Sequence, residues 1–320
     1  MPLSDYVNTF GQYMLQRHGE RIHKIAINAG FTCPNRDGSK GVGGCTFCNN
    51  ASFSPNHKLS PIADQVQTGR QVIPKRTGAR RYLAYFQAYT NTYAETAVLA
   101  QQYEQALAEK DVIGLSVGTR PDCVPEEVLD LLCHYRDQGH EIWLELGLQS
   151  AHDHTLDRVN RGHGFAEYEI AIRAAQERDI PVCTHLILGL PGETADDINT
   201  SFNRVIDAGV NGLKLHPLHI VKGTQLAREW KQGDYTPLIM DDYVNMVSNL
   251  IQRTPEDIIY HRITATAQDD VLLAPQWCSK KWLVLNSIEN ELKRRNARQG
   301  DQVVSSLSTH FHMYKQQVLN

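Results

Sequence analysis

Residues 31–53, FTCPNRDGSKGVGGCTFCNNASF, are the stretch from which we interpret the rest of the chain. Three of the seven cysteines, Cys33, Cys45 and Cys48, lie in it, directly after an apolar alternation that predicts a strand over 22–29. Cysteines bunched in this way, in a chain without an apolar signal segment, are more often metal ligands than disulfide partners. Three thiolates are one fewer than closed structural sites use, so one metal position would stay open for chemistry.

A structural zinc site is the alternative interpretation of the same cysteines. Its fourth ligand could come from His57 or from a distant cysteine, and spacing alone leaves both kinds of site open. The other four cysteines are solitary in the sequence: Cys123, Cys133, Cys183 and Cys278. Cys183 lies in an apolar run, where a small buried side chain is the usual role of cysteine.

The composition is that of an ordinary globular protein with one large α/β domain, or with a domain and an extension. Of the 320 residues, 41% are hydrophobic and 21% are charged. Apolar runs fall short of the roughly 18 residues that a membrane span needs. With the clustered thiols, this leads us to expect a cytoplasmic location. The net charge of −4 gives no global indication of a nucleic-acid partner.

After the cysteines, the chain alternates strand patterns with helix patterns. We expect strands over 81–89, 112–118, 141–149, 182–190 and 212–220. We expect helices over 61–72, 95–109, 125–136, 165–177 and 194–208. The strand centres recur about every 30 residues, which is the length of a βα unit with short loops. Because each parallel return needs a crossover, this regular alternation favours a parallel sheet.

Six βα units can form an open doubly wound sheet or a partial barrel. No G-x-G-x-x-G turn follows the first strand, which counts against a dinucleotide-binding sheet. In both architectures, ligands bind beyond the carboxyl ends of the strands. Polar clusters follow the strands at that end, over 90–93, 119–122, 149–153, 190–193 and 222–226. We therefore expect these clusters and the cysteine loop to converge on one face.

Beyond residue 226 the pattern changes. One more strand is expected within 256–267 and a helix over 279–299. Four apolar residues of this helix lie at helical spacing: Trp282, Leu285, Ile288 and Leu292. This spacing predicts the face that packs onto the rest of the protein.

The motifs together resemble those of the radical S-adenosylmethionine (SAM) enzymes. The cysteines are spaced C-x11-C-x2-C, with Phe47 just before the last of them. The strand ELGLQS, the segment RGH at 161–163 and the turn LILGLPGE also match that superfamily. The chain is similar to the branch containing the Elongator catalytic subunit, whose strand motif resembles KLHPLHIVKGTQL. Within that branch it resembles the YhcC-type bacterial proteins.

The resemblance implies an α/β fold, a TIM-barrel-like partial (β/α)6 barrel of the radical SAM type with a C-terminal α+β extension. Residues 1–226 would form the radical SAM core, with 1–21 as a lead-in, and 227–320 the extension. Cys33, Cys45 and Cys48 would bind a [4Fe–4S] cluster whose open iron position takes SAM. Reductive cleavage of SAM, with electrons from a flavodoxin- or ferredoxin-like donor, would give a 5′-deoxyadenosyl radical.

The resemblance also implies a set of SAM-binding residues, and it identifies no further catalytic residue. The candidates are Phe47, Gln87, Tyr89, Thr90, Gln149, Arg161 and His185. A guanidinium suits the carboxylate of SAM through paired charge-assisted hydrogen bonds, which fits Arg161. The strand end that is glycine-rich in relatives reads QAYTNT here, a departure from the family pattern. The alternatives are a strand-end cap for Gln149, a solvated charge for Arg161 and a core residue for His185.

The Elongator radical domain acts on the wobble uridine of tRNA, so the resemblance implies a tRNA base as substrate. Two basic regions, 70–81 and 293–298, are candidates for phosphate contacts, or else are solvated helix faces. The segment after Leu226 has no recognisable acyl-coenzyme A loop, so we do not expect acetyl transfer. Two alternatives stay open: a radical SAM enzyme acting on a small metabolite or protein, and a zinc-stabilised non-catalytic binding protein.

Overall fold

The computed structural model describes residues 2–49 and 60–303, so His57 lies outside the described residues. The strands are β1 (Ile22–Ile27), β2 (Arg81–Phe86), β3 (Val112–Thr119), β4 (Glu141–Gln149), β5 (Val182–Leu188), β6 (Gly212–Pro217), β7 (Ile220–Val221), β8 (Ile259–Arg262) and β9 (Leu272–Ala274). The helices are α1 (Phe10–His18), α2 (Ile62–Thr77), α3 (Thr96–Leu107), α4 (Glu126–Asp137), α5 (Asp153–Arg158), α6 (Phe165–Gln176), α7 (Ala195–Asp207), α8 (Gln225–Gln232), α9 (Met240–Arg253) and α10 (Lys281–Arg295).

Seven strands form one sheet in the order β1-β2-β3-β4-β5-β6-β8, and each neighbouring pair is parallel. This sheet is the partial barrel that the resemblance to the radical SAM enzymes implied, with β8 added to the six strands of the implied barrel. β1 and β8 are its two edges, and α1 packs against both of them at the amino-terminal side. Because β1 and β8 lie at opposite ends of the strand order and do not pair with each other, the sheet is open between them. The small β7–β9 ribbon is antiparallel and separate.

The main apolar core lies between the sheet and the helices outside it. The rings of Phe86 and Tyr103, for example, meet edge to face with centroids 5.0 Å apart. Helix α7 shows how the sequence sets such an element, because Thr194 and Asp197 form a capping box at its start. The inward face of the sheet is polar by comparison, with buried Ser116 and Lys214.

The predicted strands and helices are present, and their ends differ by a few residues. β2 stops at Phe86 because the chain turns at Tyr89, whose φ is 63°. β5 stops at Leu188 because Gly189 has a φ of +89°. The strand and the helix expected after residue 226 are β8 and α10. The division of the chain at that residue stays a prediction, and β8 pairs with β6 in the main sheet.

None of the helices in the described part of the chain is long and apolar enough to cross a membrane.

Candidate functional site

A cavity of about 1130 Å³ lies inside the partial barrel and extends to the carboxyl ends of the strands. Cys33, Cys45 and Cys48 all line it. Two glycines on the inward face keep the space above the middle of the sheet free. A Cβ on Gly118 would lie 3.0 Å from a backbone oxygen of β2, and one on Gly147 would lie 2.9 Å from a neighbouring guanidinium.

N–H groups of Asn35 and Arg161 point at one sulfur atom of the cysteine loop, Cys45 Sγ. Arg161 donates to Cys45 Sγ at 3.5 Å, and Asn35 Nδ2 lies 3.8 Å from the same atom. N–H donors stabilise a thiolate, which is the form that binds a metal. Arg36 donates from its guanidinium to the backbone oxygen of Cys48 at 3.0 Å. Burial and the neighbouring Cys45 raise the pKa of the Cys48 thiol, and the guanidinium of Arg36 opposes that change.

All three cysteines are free. Within residues 2–49 and 60–303, no three His, Cys, Asp or Glu side chains already stand in a metal-binding arrangement. Three thiols that line one cavity, with N–H donors on Cys45 Sγ, nevertheless provide the ligand type and count for an iron–sulfur cluster with one open position. The residues present therefore fit such a cluster.

The segment Asn160–Gly162 holds the cysteine loop in place. Asn35 donates to the backbone oxygens of Asn160 and Arg161, the latter at 2.8 Å. Arg120 donates to the same Arg161 oxygen at 2.7 Å. A Cβ on Gly162, whose φ is +71°, would lie 2.4 Å from Asn35 Oδ1. The close approach of these two segments therefore requires glycine at 162.

Gly162→Ala is expected to displace the cysteine loop and to lower iron loading. The added Cβ meets Asn35 and also forces alanine into a left-handed conformation, which costs about 1–2 kcal/mol by itself. Gly192→Ala is the matched control, because its φ is +88° and nothing lies within 4 Å of the new Cβ. Iron per chain and melting temperature measure both effects. Equal iron loading in the two variants would show that the contact with Asn35 is dispensable.

All seven residues predicted to bind SAM line this cavity: Phe47, Gln87, Tyr89, Thr90, Gln149, Arg161 and His185. Their individual roles remain predictions. Tyr89 and Gln149 both have positive φ, 63° and 83°, at the ends of β2 and β4. Such backbone is costly for residues other than glycine and is concentrated at functional sites. Thr90 has a buried hydroxyl with no hydrogen-bond partner among the described residues.

The structure shows the environments of two of these residues. Arg161 is only 8% exposed and also donates to the backbone oxygen of Gly147, so it is not a solvated charge. His185 Nε2 lies 2.8 Å from a carboxylate oxygen of Glu145, which is also what the alternative of a core residue with a hydrogen-bond partner would show, so both interpretations of His185 stay open.

Two of the five polar clusters do not line the cavity as we expected. Residues 190–193 and 222–226 are absent from its wall, whereas Thr90, Thr119 and Gln149 are present. The second cluster supports the cysteine loop instead. The Leu226 N–H donates to Thr46 O at 3.0 Å, and Asn49 donates to Lys222 O at 2.7 Å. These residues contact the loop from its outer side because β6 ends at Pro217, before the cluster begins.

A buried ionic cluster at the floor of the cavity was not predicted from the sequence. Its centre is Glu145, which is fully buried in the middle of β4. Five side chains donate to or pair with its carboxylate: Lys24 at 2.5 Å, Ser116 at 2.6 Å, His185 at 2.8 Å, His261 at 3.7 Å, and Lys214. Tyr85 accepts a hydrogen bond from Lys214 at 2.9 Å. The signal in the sequence was a charged residue in the middle of each of three apolar strands.

Burial and the neighbouring charges set the pKa values of the groups in this cluster. Burial alone would raise the pKa of Glu145, but the ammonium groups of Lys214 and Lys24 hold it well below its usual range. Burial lowers the pKa of Lys214 to about 7, and Glu145 opposes that change. Burial and the charge of Lys214 lower the pKa of His185 to about 4. The floor therefore holds a carboxylate, a neutral imidazole and an amine that exchanges protons near neutral pH.

Comparison with known proteins gives the following relations. Residues 28–205 match the family model described as Radical SAM superfamily, and 210–294 match the Radical_SAM C-terminal domain. Protein YhcC of Escherichia coli (strain K12) is 48% identical over 299 residues, 93% of this chain and 96% of that protein.

Two further relatives are more distant. A tRNA uridine(34) acetyltransferase of Dehalococcoides mccartyi (strain CBDB1) is 29% identical over 186 residues, which are 55% of this chain and 39% of that protein. The solved structure of an archaeal Elp3 from Methanocaldococcus infernus has a TM-score of 0.63 at 16% identity. The match covers 87% of this chain and 64% of the Elp3 chain. This last likeness is one of fold.

Proposed function

Since the chain belongs to the radical SAM superfamily and is an enzyme of that class, we propose that it modifies the side chain of the wobble uridine in tRNA. The observation that carries the proposal is the likeness to a tRNA uridine(34) acetyltransferase. This chain spans 39% of that relative, so we propose a different step on the same uridine rather than acetyl transfer. Membership of an enzyme superfamily sets aside the zinc-stabilised binding protein.

In this proposal, Cys33, Cys45 and Cys48 hold the [4Fe–4S] cluster, and Asn35 and Arg161 donate N–H groups toward Cys45 Sγ. The bound cluster and SAM supply the radical that abstracts hydrogen from an unreactive carbon, with electrons from a flavodoxin- or ferredoxin-like donor. The residues of the protein would hold SAM in position. The seven candidate SAM contacts line the same cavity as the three cysteines and Glu145.

The floor gives the site a proton donor and acceptor. Lys214 has a pKa of about 7 and is hydrogen-bonded to Tyr85 and Glu145. A group whose pKa lies near the working pH is suited to proton exchange with a reacting base. We assign Lys214 that role toward the uridine in the proposed reaction.

Four arginines of the two basic regions expected to contact phosphate are paired with nearby carboxylates, whereas Arg76 of the first region has no such pair among the described residues. Arg70 pairs with Asp111 and Glu109, and Arg81 pairs with Glu20 at 3.0 Å. Arg294 and Arg295 both pair with Glu291, each at 2.6 Å. A phosphate would have to displace these carboxylates, so the paired arginines do not support the expected footprints. The sequence did not reveal this because Glu20 and Asp111 are remote from the arginines along the chain.

The test is nucleoside mass spectrometry of total tRNA from a deletion strain, grown with and without oxygen. We expect one modified nucleoside to be lost. Wild-type protein and Cys133→Ala should restore it, because Cys133 does not line the cavity, whereas Cys45→Ala should not. An unchanged tRNA profile under both growth conditions would contradict the proposal. The alternative, a small metabolite or a protein as substrate, would then be favoured.

A further inference from the structure

Three cationic side chains line the cavity in the region between the two edge strands. They are Arg76 in the last turn of α2, Arg262 at the end of β8, and Lys281 at the start of α10. Among residues 2–49 and 60–303, none of the three charged groups has a carboxylate or another hydrogen-bond partner. They differ in this from Arg70 and Arg81, whose charges are paired.

These charges act on one another. The pKa of Lys281 is lowered, first by partial desolvation of its ammonium and then by the guanidinium groups of Arg262 and Arg76. Two histidines further inside, His216 and His219, each have a buried Nε2 atom with no partner among the described residues. Like charges held together without a counter-ion attract an anion, which would relieve their repulsion. The region between the two edge strands is therefore suited to binding phosphate groups.

An exposed aromatic residue lies beside these cations. Trp282 is 70% exposed, and Lys281 Nζ lies 5.7 Å from the centre of its indole ring. We had expected Trp282 to pack onto the protein. The other three residues of that face do pack: Ile288 and Leu292 are fully buried, and the partly buried Leu285 contacts the core. Val284, in the same first turn of α10, is only 1% exposed, so this turn covers the core while the Trp282 indole stays in solvent.

We propose that this edge, formed by Trp282, Lys281, Arg76 and Arg262, binds a single-stranded stretch of RNA at the open side of the barrel. The indole would stack on an unpaired base, and the three cations would bind the flanking phosphates. Every base has a face that can stack, so an exposed indole beside unpaired cations suits single-stranded nucleic acid better than a duplex. The inference rests on the proposed function and adds where the RNA is held.

The first arm of the test measures binding of a fluorescently labelled oligouridylate to the reconstituted holoenzyme. Trp282→Ala is expected to weaken binding roughly five- to 150-fold, the range for loss of one base–aromatic stack. Ile170→Ala is the matched control: Ile170 is 69% exposed on α6 and does not line the cavity. The oligouridylate should also quench the tryptophan emission of the wild type more than that of Trp282→Ala.

The second arm measures the salt dependence of the same binding. Lys281→Gln, Arg76→Gln and Arg262→Gln should each reduce the slope of log affinity against log salt by about 0.7, because each removes one phosphate contact with a single strand. Lys293→Gln, near the other end of α10, should leave the slope unchanged.

The possible results separate this inference from the proposed function. If the deletion strain loses a tRNA modification but Trp282→Ala binds oligouridylate and tRNA like the wild type, the binding edge is wrong and the function stands. If tRNA is unchanged in the deletion strain but Trp282→Ala loses oligouridylate binding, the edge stands for another RNA. Wild-type protein that binds no RNA, or that binds polyglutamate equally well through the same cations, overturns the edge.

Discussion

Replacing any one of Cys33, Cys45 and Cys48 with alanine is expected to abolish iron–sulfur loading and SAM cleavage. All three thiols line one cavity, and together they are the cysteine ligands that the site offers. With one removed, the cluster would have two open positions in place of one. Iron and sulfide content after anaerobic reconstitution, and formation of 5′-deoxyadenosine from SAM, measure the result.

Cys133→Ala is the control for this experiment. Its thiol is half-buried and lies outside the cavity, so the substitution removes a cysteine without emptying the core. Cys123→Ala and Cys183→Ala should also keep iron and activity, although both residues are buried. Full iron loading in Cys45→Ala would contradict the assignment. So would wild-type protein that takes up stoichiometric zinc and no iron.

The fold could be predicted because its signals are local. Each buried parallel strand is a short apolar run, and each crossover helix repeats apolar residues at helical spacing. Some strand ends were less accurate: β2 ends before Tyr89, whose positive φ its residue type does not predict, whereas β4 ends at Gln149 as predicted. α9 went unpredicted even though its buried residues Tyr243, Val247 and Leu250 follow a helical period.

The parts of the site that follow strand ends could be predicted too, because parallel strands bring those ends to one edge. Contacts between distant segments could not. Glu145 meets Lys24 across 121 positions and Lys214 across 69, and no local pattern encodes such pairing. The exposure of Trp282 was not predicted either, because the buried face of α10 runs through Val284, Ile288 and Leu292.

Glu145→Gln is expected to lower the free energy of unfolding by about 3–5 kcal/mol, the usual cost of removing one partner of a buried ion pair. The carboxylate is fully buried, and it is the anion that Lys24 and Lys214 share. Glutamine keeps the shape and can still accept from Ser116, but it leaves both ammonium groups without a counter-charge. Urea unfolding at neutral pH measures the difference.

Glu141→Gln is the matched control, on the same strand and with the same change of chemistry. Glu141 is also buried, but its cationic partner Arg17 has a side chain that is 55% exposed, so that guanidinium returns to water when the pair is lost. We therefore expect Glu141→Gln to cost less stability than Glu145→Gln, which leaves two ammonium groups unpaired inside the protein. A second substitution tests the cause. Lys214→Met should restore part of the stability in the Glu145→Gln protein, because it removes a buried ammonium that has lost its partner. Equal losses in Glu141→Gln and Glu145→Gln would show that the floor charges are not coupled.

The pH dependence of this difference follows from the pKa of Glu145, which is held below its ordinary value of 4.5. A carboxyl with a depressed pKa contributes its full stability above that ordinary value and loses it as the pH falls through the lower, folded-state value. Glutamine cannot titrate. The contribution of the Glu145 carboxylate to the stability gap between wild type and Glu145→Gln should therefore shrink as the pH falls below about 4.5. A gap that already closes near neutral pH would mean that the carboxyl is protonated in the folded protein, and that Lys24 and Lys214 do not face an anion.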